Sequence, residues 1–143
     1  MEIEKQVVSL ELAKKLKELG VKQESFFYWV DAYENYRNTG EAYNGWIVRQ
    51  KMNWIANSTK RDKIYSAFSV SELGEMLPAR NIDFGKGYFE SCKDSSGMWR
   101  AYWTDTHSGK WIKDFNEVSE ADARAKMLIY LIENKLQTIK EGK

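Results

Sequence analysis

Tyr88-Phe-Glu-Ser-Cys-Lys93, Met98-Trp-Arg-Ala-Tyr-Trp-Thr104 and Lys110-Trp-Ile-Lys-Asp-Phe115 are separated only by Asp94-Ser-Ser-Gly97 and Asp105-Thr-His-Ser-Gly109. Gaps this short and this rich in turn-formers bring each run back beside the last, which predicts three strands in an antiparallel meander. Side chains alternate across a strand, so Trp99, Ala101 and Trp103 share one face and Arg100, Tyr102 and Thr104 the other. Likewise Trp111, Lys113 and Phe115 oppose Ile112 and Asp114. The face with Trp99 and Trp103 is the natural one for helices to cover.

Downstream of the meander, Ser119 caps a long helix that should run from Ser119 to Ile139. Glu120 and Asp122 sit in its first turn, where the helix dipole favours negative charge. Ala121, Ala125, Leu128, Ile132, Leu136 and Ile139 make one apolar stripe, widened by Ile129 and Leu131. The small residues at its start suit close approach to a sheet. Upstream, Ser69 and Glu72 have the spacing of a capping box and Phe68 and Leu73 that of a hydrophobic staple. Pro78 closes that helix, Ser69–Leu77, because the residue before proline is pushed out of helical geometry. Near the start of the chain, Ser9 is placed to cap a helix to Leu19, with Leu12, Leu16 and Leu19 at helical spacing. Gly20 follows as a left-handed stop.

Between the first two helices, Phe26 to Tyr36, Trp46 to Asn53 and Ile64 to Phe68 read as strands, with turns at Asn38-Thr39-Gly40 and Asn44-Gly45. The expectation is a single α+β domain over 1–143, in the order α-β-β-β-α-β-β-β-α. It has an antiparallel, curved sheet of about six strands and three helices. Gly45-Trp46, Gly97-Met-Trp99 and Gly109-Lys-Trp111 repeat a Gly–Trp step, read as hairpin chemistry ahead of internal duplication.

Composition restricts function. Six Trp, eight Tyr and six Phe stand beside one His, one Cys and one Pro. Packing and stacking groups abound while the groups of covalent chemistry are scarce. Net charge is +1, from 22 basic and 21 acidic residues, so no whole-molecule field drives the chain onto nucleic acid or an anionic membrane. Arg49, Lys51, Lys60, Arg61 and Lys63 against Asp62 form a local basic cluster, as a solvated loop would. Cys92 alone makes no disulfide and no multi-cysteine zinc site, the usage of a reducing cytoplasm. The charged start and the absence of any long apolar run give no secretory signal or membrane span, so the expected location is cytoplasmic.

Catalytic and metal sites find little to stand on. His107 lies in a hairpin turn and Cys92 mid-strand, so neither reads as a catalytic residue. One His and one Cys exclude the usual zinc sets, and Asp94, Ser96, Asp105 and Thr106 lack the alternation of a calcium loop. Gly85-Lys-Gly87 is too short to cradle a phosphate. Leu12 to Val21 begins like a helix-turn-helix, but Phe26-Phe-Tyr-Trp-Val30 follows where a recognition helix should stand. No cofactor, no metal and no enzymatic activity are expected.

The surplus aromatics leave two readings open. Either a curved sheet absorbs them in its interior, or they form an exposed patch interleaved with Arg49, Lys51, Arg100 and Lys113. The candidate binding residues are Tyr28, Trp46, Arg49, Lys51, Arg100 and Tyr102. A protein partner is the leading expectation for such a face. Single-stranded nucleic acid is the alternative, through base stacking on Tyr28, Trp46 and Tyr102 beside Arg100.

Three stretches resemble small uncharacterised proteins encoded in phage and prophage regions of bacterial genomes. They are Ser9-Leu-Glu-Leu-Ala-Lys-Lys-Leu-Lys-Glu-Leu-Gly-Val21 running into Phe27-Tyr-Trp29; Tyr65-Ser-Ala-Phe-Ser-Val-Ser-Glu-Leu-Gly-Glu-Met-Leu-Pro78; and Glu120-Ala-Asp-Ala-Arg-Ala-Lys-Met-Leu-Ile-Tyr-Leu-Ile-Glu133. The resemblance implies an accessory protein of a mobile element in a bacterial cytoplasm. It carries no activity and transfers no functional residue.

Overall fold

A computed structural model describes residues 2–41, 45–51, 55, 64–77, 80–81, 87–105, 108–109 and 111–134. In chain order the helices are α1 (Leu10–Glu18), α2 (Ala32–Thr39), α3 (Val70–Met76) and α4 (Glu120–Glu133). The strands are β1 (Phe27–Asp31), β2 (Trp46–Gln50), β3 (Tyr65–Ser66), β4 (Arg80–Asn81), β5 (Gly87–Lys93), β6 (Trp99–Asp105) and β7 (Trp111–Glu117). The protein is α+β with antiparallel sheets.

The meander forms as its turns dictate. Asp94 Oδ1 accepts hydrogen bonds from the backbone N–H of Ser96 (2.9 Å) and Met98 (3.1 Å) and from the Ser96 hydroxyl (2.5 Å). Gly97 takes the positive φ (+87°) that lets the chain reverse there. In register, Phe89 opposes Trp103, Ser91 opposes Ala101, and Ala101 opposes Phe115. These are the positions that meet α4, whose alanines at 121, 123 and 125 are fully buried, as are Ala101 and Trp103. Ala123 lies about 200° around the helix from Ala121, so the burial of all three shows α4 covered on opposite sides, by the second sheet and by α1 and α3.

The strands divide into two sheets rather than one. One is ordered β2-β1-β3 and the other β4-β5-β6-β7, with β4 a two-residue addition opposite Gly87 and Tyr88. Both faces of the first sheet are covered. Tyr28 and Val30 pack with Ile55 and Ile64 on one side. On the other, Val48 and Ala67 cluster with Val7 of the N-terminal segment, and Ile3, Phe27 and Trp29 pack against them. The Trp29 indole N–H donates to the Val8 carbonyl (2.9 Å), fixing that segment.

One expected strand changes character halfway. Phe26 to Tyr36 is strand only as far as Asp31, and Ala32–Thr39 is helix. The side of α2 that meets the protein carries Asn35, fully buried, in place of an apolar stripe. Its amide donates to the Glu41 carbonyl (3.0 Å) and accepts from Arg49 Nε (2.8 Å), so burial leaves its amide paired.

Caps follow the sequence at two helices of three. Ser69 and Glu72 make the capping box of α3, and Ser119 Oγ accepts from the Asp122 N–H (3.1 Å) at α4. Ser9 makes no side-chain cap. Its backbone N–H instead donates to Asp122 Oδ1 (2.7 Å), which ties α1 to the first turn of α4. Gly20 stops α1 at φ +88°, and Val21 N–H closes onto the Leu16 carbonyl (3.0 Å). The expected extension of α4 over 135–139 lies outside the described residues, as does the Asn44 half of the Asn44-Gly45 turn.

Candidate interaction surfaces

The six residues read from the sequence do not share a surface. Tyr28 is 2% exposed and its hydroxyl accepts the Ser25 N–H (3.2 Å), so its ring belongs to the core. Trp46 contacts Tyr65 (5.7 Å between rings, tilted by 52°), and Lys14 lies over both rings, 5.1 Å from the centroid of Trp46 and 5.7 Å from that of Tyr65. Lys17 covers Tyr65 at 4.9 Å. These ammonium groups occupy the ring faces a base would need, and the cluster docks α1 on the first sheet.

Arg49 is taken by Asn35 and ion-paired with Glu41. Lys51 is exposed, in a shallow groove with Glu24, Glu72 and Glu75. Arg100 pairs with Asp94 Oδ2 (3.5 Å), and Tyr102 donates to Glu90 Oε2 (2.6 Å). That hydrogen bond, reinforced by burial, pushes the Tyr102 phenol well above its usual range. On the outer face of the second sheet, Glu90, Tyr102 and Asp114 stand in one row and Cys92, Arg100 and Asn116 in the next. With Asp94, three carboxylates surround one guanidinium, the wrong balance for a phosphate backbone. Lys113, also named for that patch, faces inward, over Phe115 (5.2 Å) and Tyr130 (5.1 Å).

Exposed apolar groups occur elsewhere. Tyr33 and Tyr36 on α2 are 66% and 59% exposed, and Arg37 is exposed beside them. Positions three and four apart share a helix face, so all three project together, opposite the buried Asn35. Sequence reading missed this surface because it took 32–36 as strand. The signal was present in the i, i+3, i+4 spacing of Tyr33, Tyr36 and Arg37.

A second surface is a cavity of about 500 Å³ where α3, α4, the starts of β1 and β6 and the end of β5 meet the N-terminal 3-10 turn. Phe27, Val70, Trp99 and Val118 line it, with Lys5 and Lys93 alongside. Val118, in the link between β7 and α4, is 80% exposed.

His107, the one histidine, lies outside the described residues. Among the described residues there is no group of three or more His, Cys, Asp or Glu side chains arranged to hold a metal ion, and no helix is long and apolar enough to cross a membrane. No protein-family model, curated protein or solved structure matches the chain.

Proposed function

We propose that this protein is a non-catalytic cytoplasmic interaction module, of the accessory kind implied by its resemblance to phage- and prophage-encoded proteins, and that it docks a protein partner on α2. One observation carries the reading. Tyr33, Tyr36 and Arg37 are presented together on an exposed helix face, while most of the chain's described rings are partly or fully buried. Tyr and Arg are the residue types that dominate protein interfaces: each offers large contact area with a polar tip that finds partners at the rim.

The α2 backbone is held from behind by the Asn35–Arg49–Glu41 network, so the face is rigid before a partner arrives. That rigidity reduces the ordering cost of association. Stacking of unpaired bases, the alternative use of the aromatics, draws no support from residues that are core, lysine-covered or ringed by carboxylates.

The test places a photo-reactive p-benzoylphenylalanine at position 36 in cells that carry the native gene neighbourhood. Cross-linking to one protein is expected from position 36 and not from position 95, an exposed turn site remote in sequence. Adding Tyr33→Ser should abolish it. Equal cross-linking from both positions, or none from position 36, would remove α2 as the docking face.

A further inference from the structure

We infer that the groove between Phe27, Val70, Trp99 and Val118 is a second docking site, which accepts an acidic peptide segment through one apolar anchor side chain. The groove shares no residue with the outer face of α2, so either surface can be inert while the other binds.

Shape gives the apolar half of the ligand. A space of about 500 Å³ holds one or two side chains, not a folded partner. Its walls come from separate elements: Phe27 from the start of β1, Val70 from α3, Trp99 from the start of β6, and Val118 from the turn before α4. Trp99 and Phe27 are half-buried, so each offers part of its ring to the groove. Val118 stands almost fully in water at the rim, and covering it removes apolar surface from solvent.

Charge gives the other half. Lys5 and Lys93 lie alongside the groove, and Lys93 Nζ sits 6.0 Å from the Trp99 ring centroid. The carboxylate in the lining, Glu120, is already held by Arg124 (2.9 Å) and by the Ser91 hydroxyl (2.8 Å). Lys5 pairs with Glu2 at 3.4 Å, but both are about two-thirds exposed, and a solvent pair of that kind yields readily to a better partner. The groove therefore presents a positive rim around an apolar floor. A leucine or phenylalanine flanked by aspartate or glutamate matches both. A peptide is favoured over an oligonucleotide because Val70 in the floor and Val118 at the rim offer no flat surface on which successive bases stack.

The probe is a fluorescein-labelled hexapeptide, Leu-Phe flanked on each side by two glutamates, titrated into the full chain by fluorescence anisotropy. Its charge-reversed lysine version and a labelled six-nucleotide oligothymidine are run beside it. Saturable binding of the acidic peptide is expected, at least tenfold tighter than the lysine version and weakening as salt rises. Val118→Asp and Lys93→Glu should each weaken it at least fivefold. Both positions are exposed, so circular dichroism should show an intact fold, and Tyr36→Ser should leave the affinity unchanged. Equal binding of the two peptides, indifference to Val118→Asp and Lys93→Glu, tighter binding of the oligonucleotide, or no binding up to millimolar peptide would each overturn the assignment.

Discussion

Gly74 sits in the middle of α3, where glycine costs ~1 kcal/mol relative to alanine, and nothing in the sequence explains it. The structure does. A Cβ at 74 would lie 2.4 Å from Arg124 Nη1. That guanidinium reaches across from α4 to donate to the Val70 carbonyl (3.3 Å) and the Ser91 hydroxyl (3.0 Å). Gly74→Ala should therefore destabilise the protein by about 1 kcal/mol, since displaced charged hydrogen bonds outweigh the helix-propensity gain. In an Arg124→Ala background the same change should stabilise by about 0.5–1 kcal/mol. Urea unfolding of the four proteins measures the sign inversion, and equal effects in both backgrounds would show that Arg124 does not set the requirement. Asp122 gives a second prediction at this scale. Burial, its largest influence, raises its pKa against the opposing hydrogen bond from Ser9 N–H. A raised carboxyl contributes stability that is full below the unfolded aspartate value, about 3.9, and is lost as pH rises through the folded value. The wild type should thus lose stability relative to Asp122→Asn between pH 4 and pH 7, because asparagine keeps the acceptor oxygen for Ser9. Asp94 has the opposite sign. Its hydrogen bond from the Ser96 hydroxyl, the largest influence, lowers its pKa, so its contribution is present above the unfolded value and lost on acidification. Relative stabilities measured at four pH values separate the two slopes.

Helices were legible wherever an apolar stripe or a cap recorded them. The capping box at Ser69 and Glu72 is observed, and its carboxylate does more than cap: Glu72 also accepts from the Phe26 N–H (3.1 Å) and the Ser25 hydroxyl (3.0 Å), tying α3 to the start of β1. The helix α2 was legible only in the spacing of Tyr33, Tyr36 and Arg37, because its inward side chain is an asparagine and its aromatics face water, the reverse of the pattern that marks a surface helix. The candidate residues proved scattered for a related reason. Whether a ring is exposed depends on what covers it, and Lys14 over Trp46 or Ile55 beside Tyr28 are long-range contacts that no local pattern contains. The stripe of α4 supports a graded prediction. Leu128 is 2% exposed in the core shared with Trp103, while Ile132 is only half-buried. Leu128→Asp should cost ~3–5 kcal/mol, an unpaired charge against apolar groups, and Ile132→Asp clearly less, because its carboxylate can reach water. Equal losses by chemical denaturation would mean that α4 is docked on a different face.

At the scale of the whole molecule, the two sheets are linked by one apolar cluster. It takes Ala13 and Leu16 from α1, Phe68 and Leu73 around α3, Ala101 and Trp103 from β6, and the inner face of α4, with Trp29 and Tyr65 of the first sheet packed against it. The smaller group of Tyr28, Val30, Ile55 and Ile64 lies on the far side of β1. Trp29 and Tyr28 are neighbours on one strand with side chains in different clusters, so that strand cannot leave one cluster while keeping the other. Unfolding is therefore expected to be a single transition for both sheets, as small domains usually show. Val30→Ala, which opens space only in the smaller group, should lower stability by about 1–2 kcal/mol and shift the midpoints of tryptophan fluorescence and far-ultraviolet circular dichroism together. The same coincidence is expected for Leu128→Ala, with a larger shift. Midpoints that separate in either variant would show the first sheet melting on its own, and the rigid presentation of Tyr33 and Tyr36 on α2 would then fail before the α4 core does.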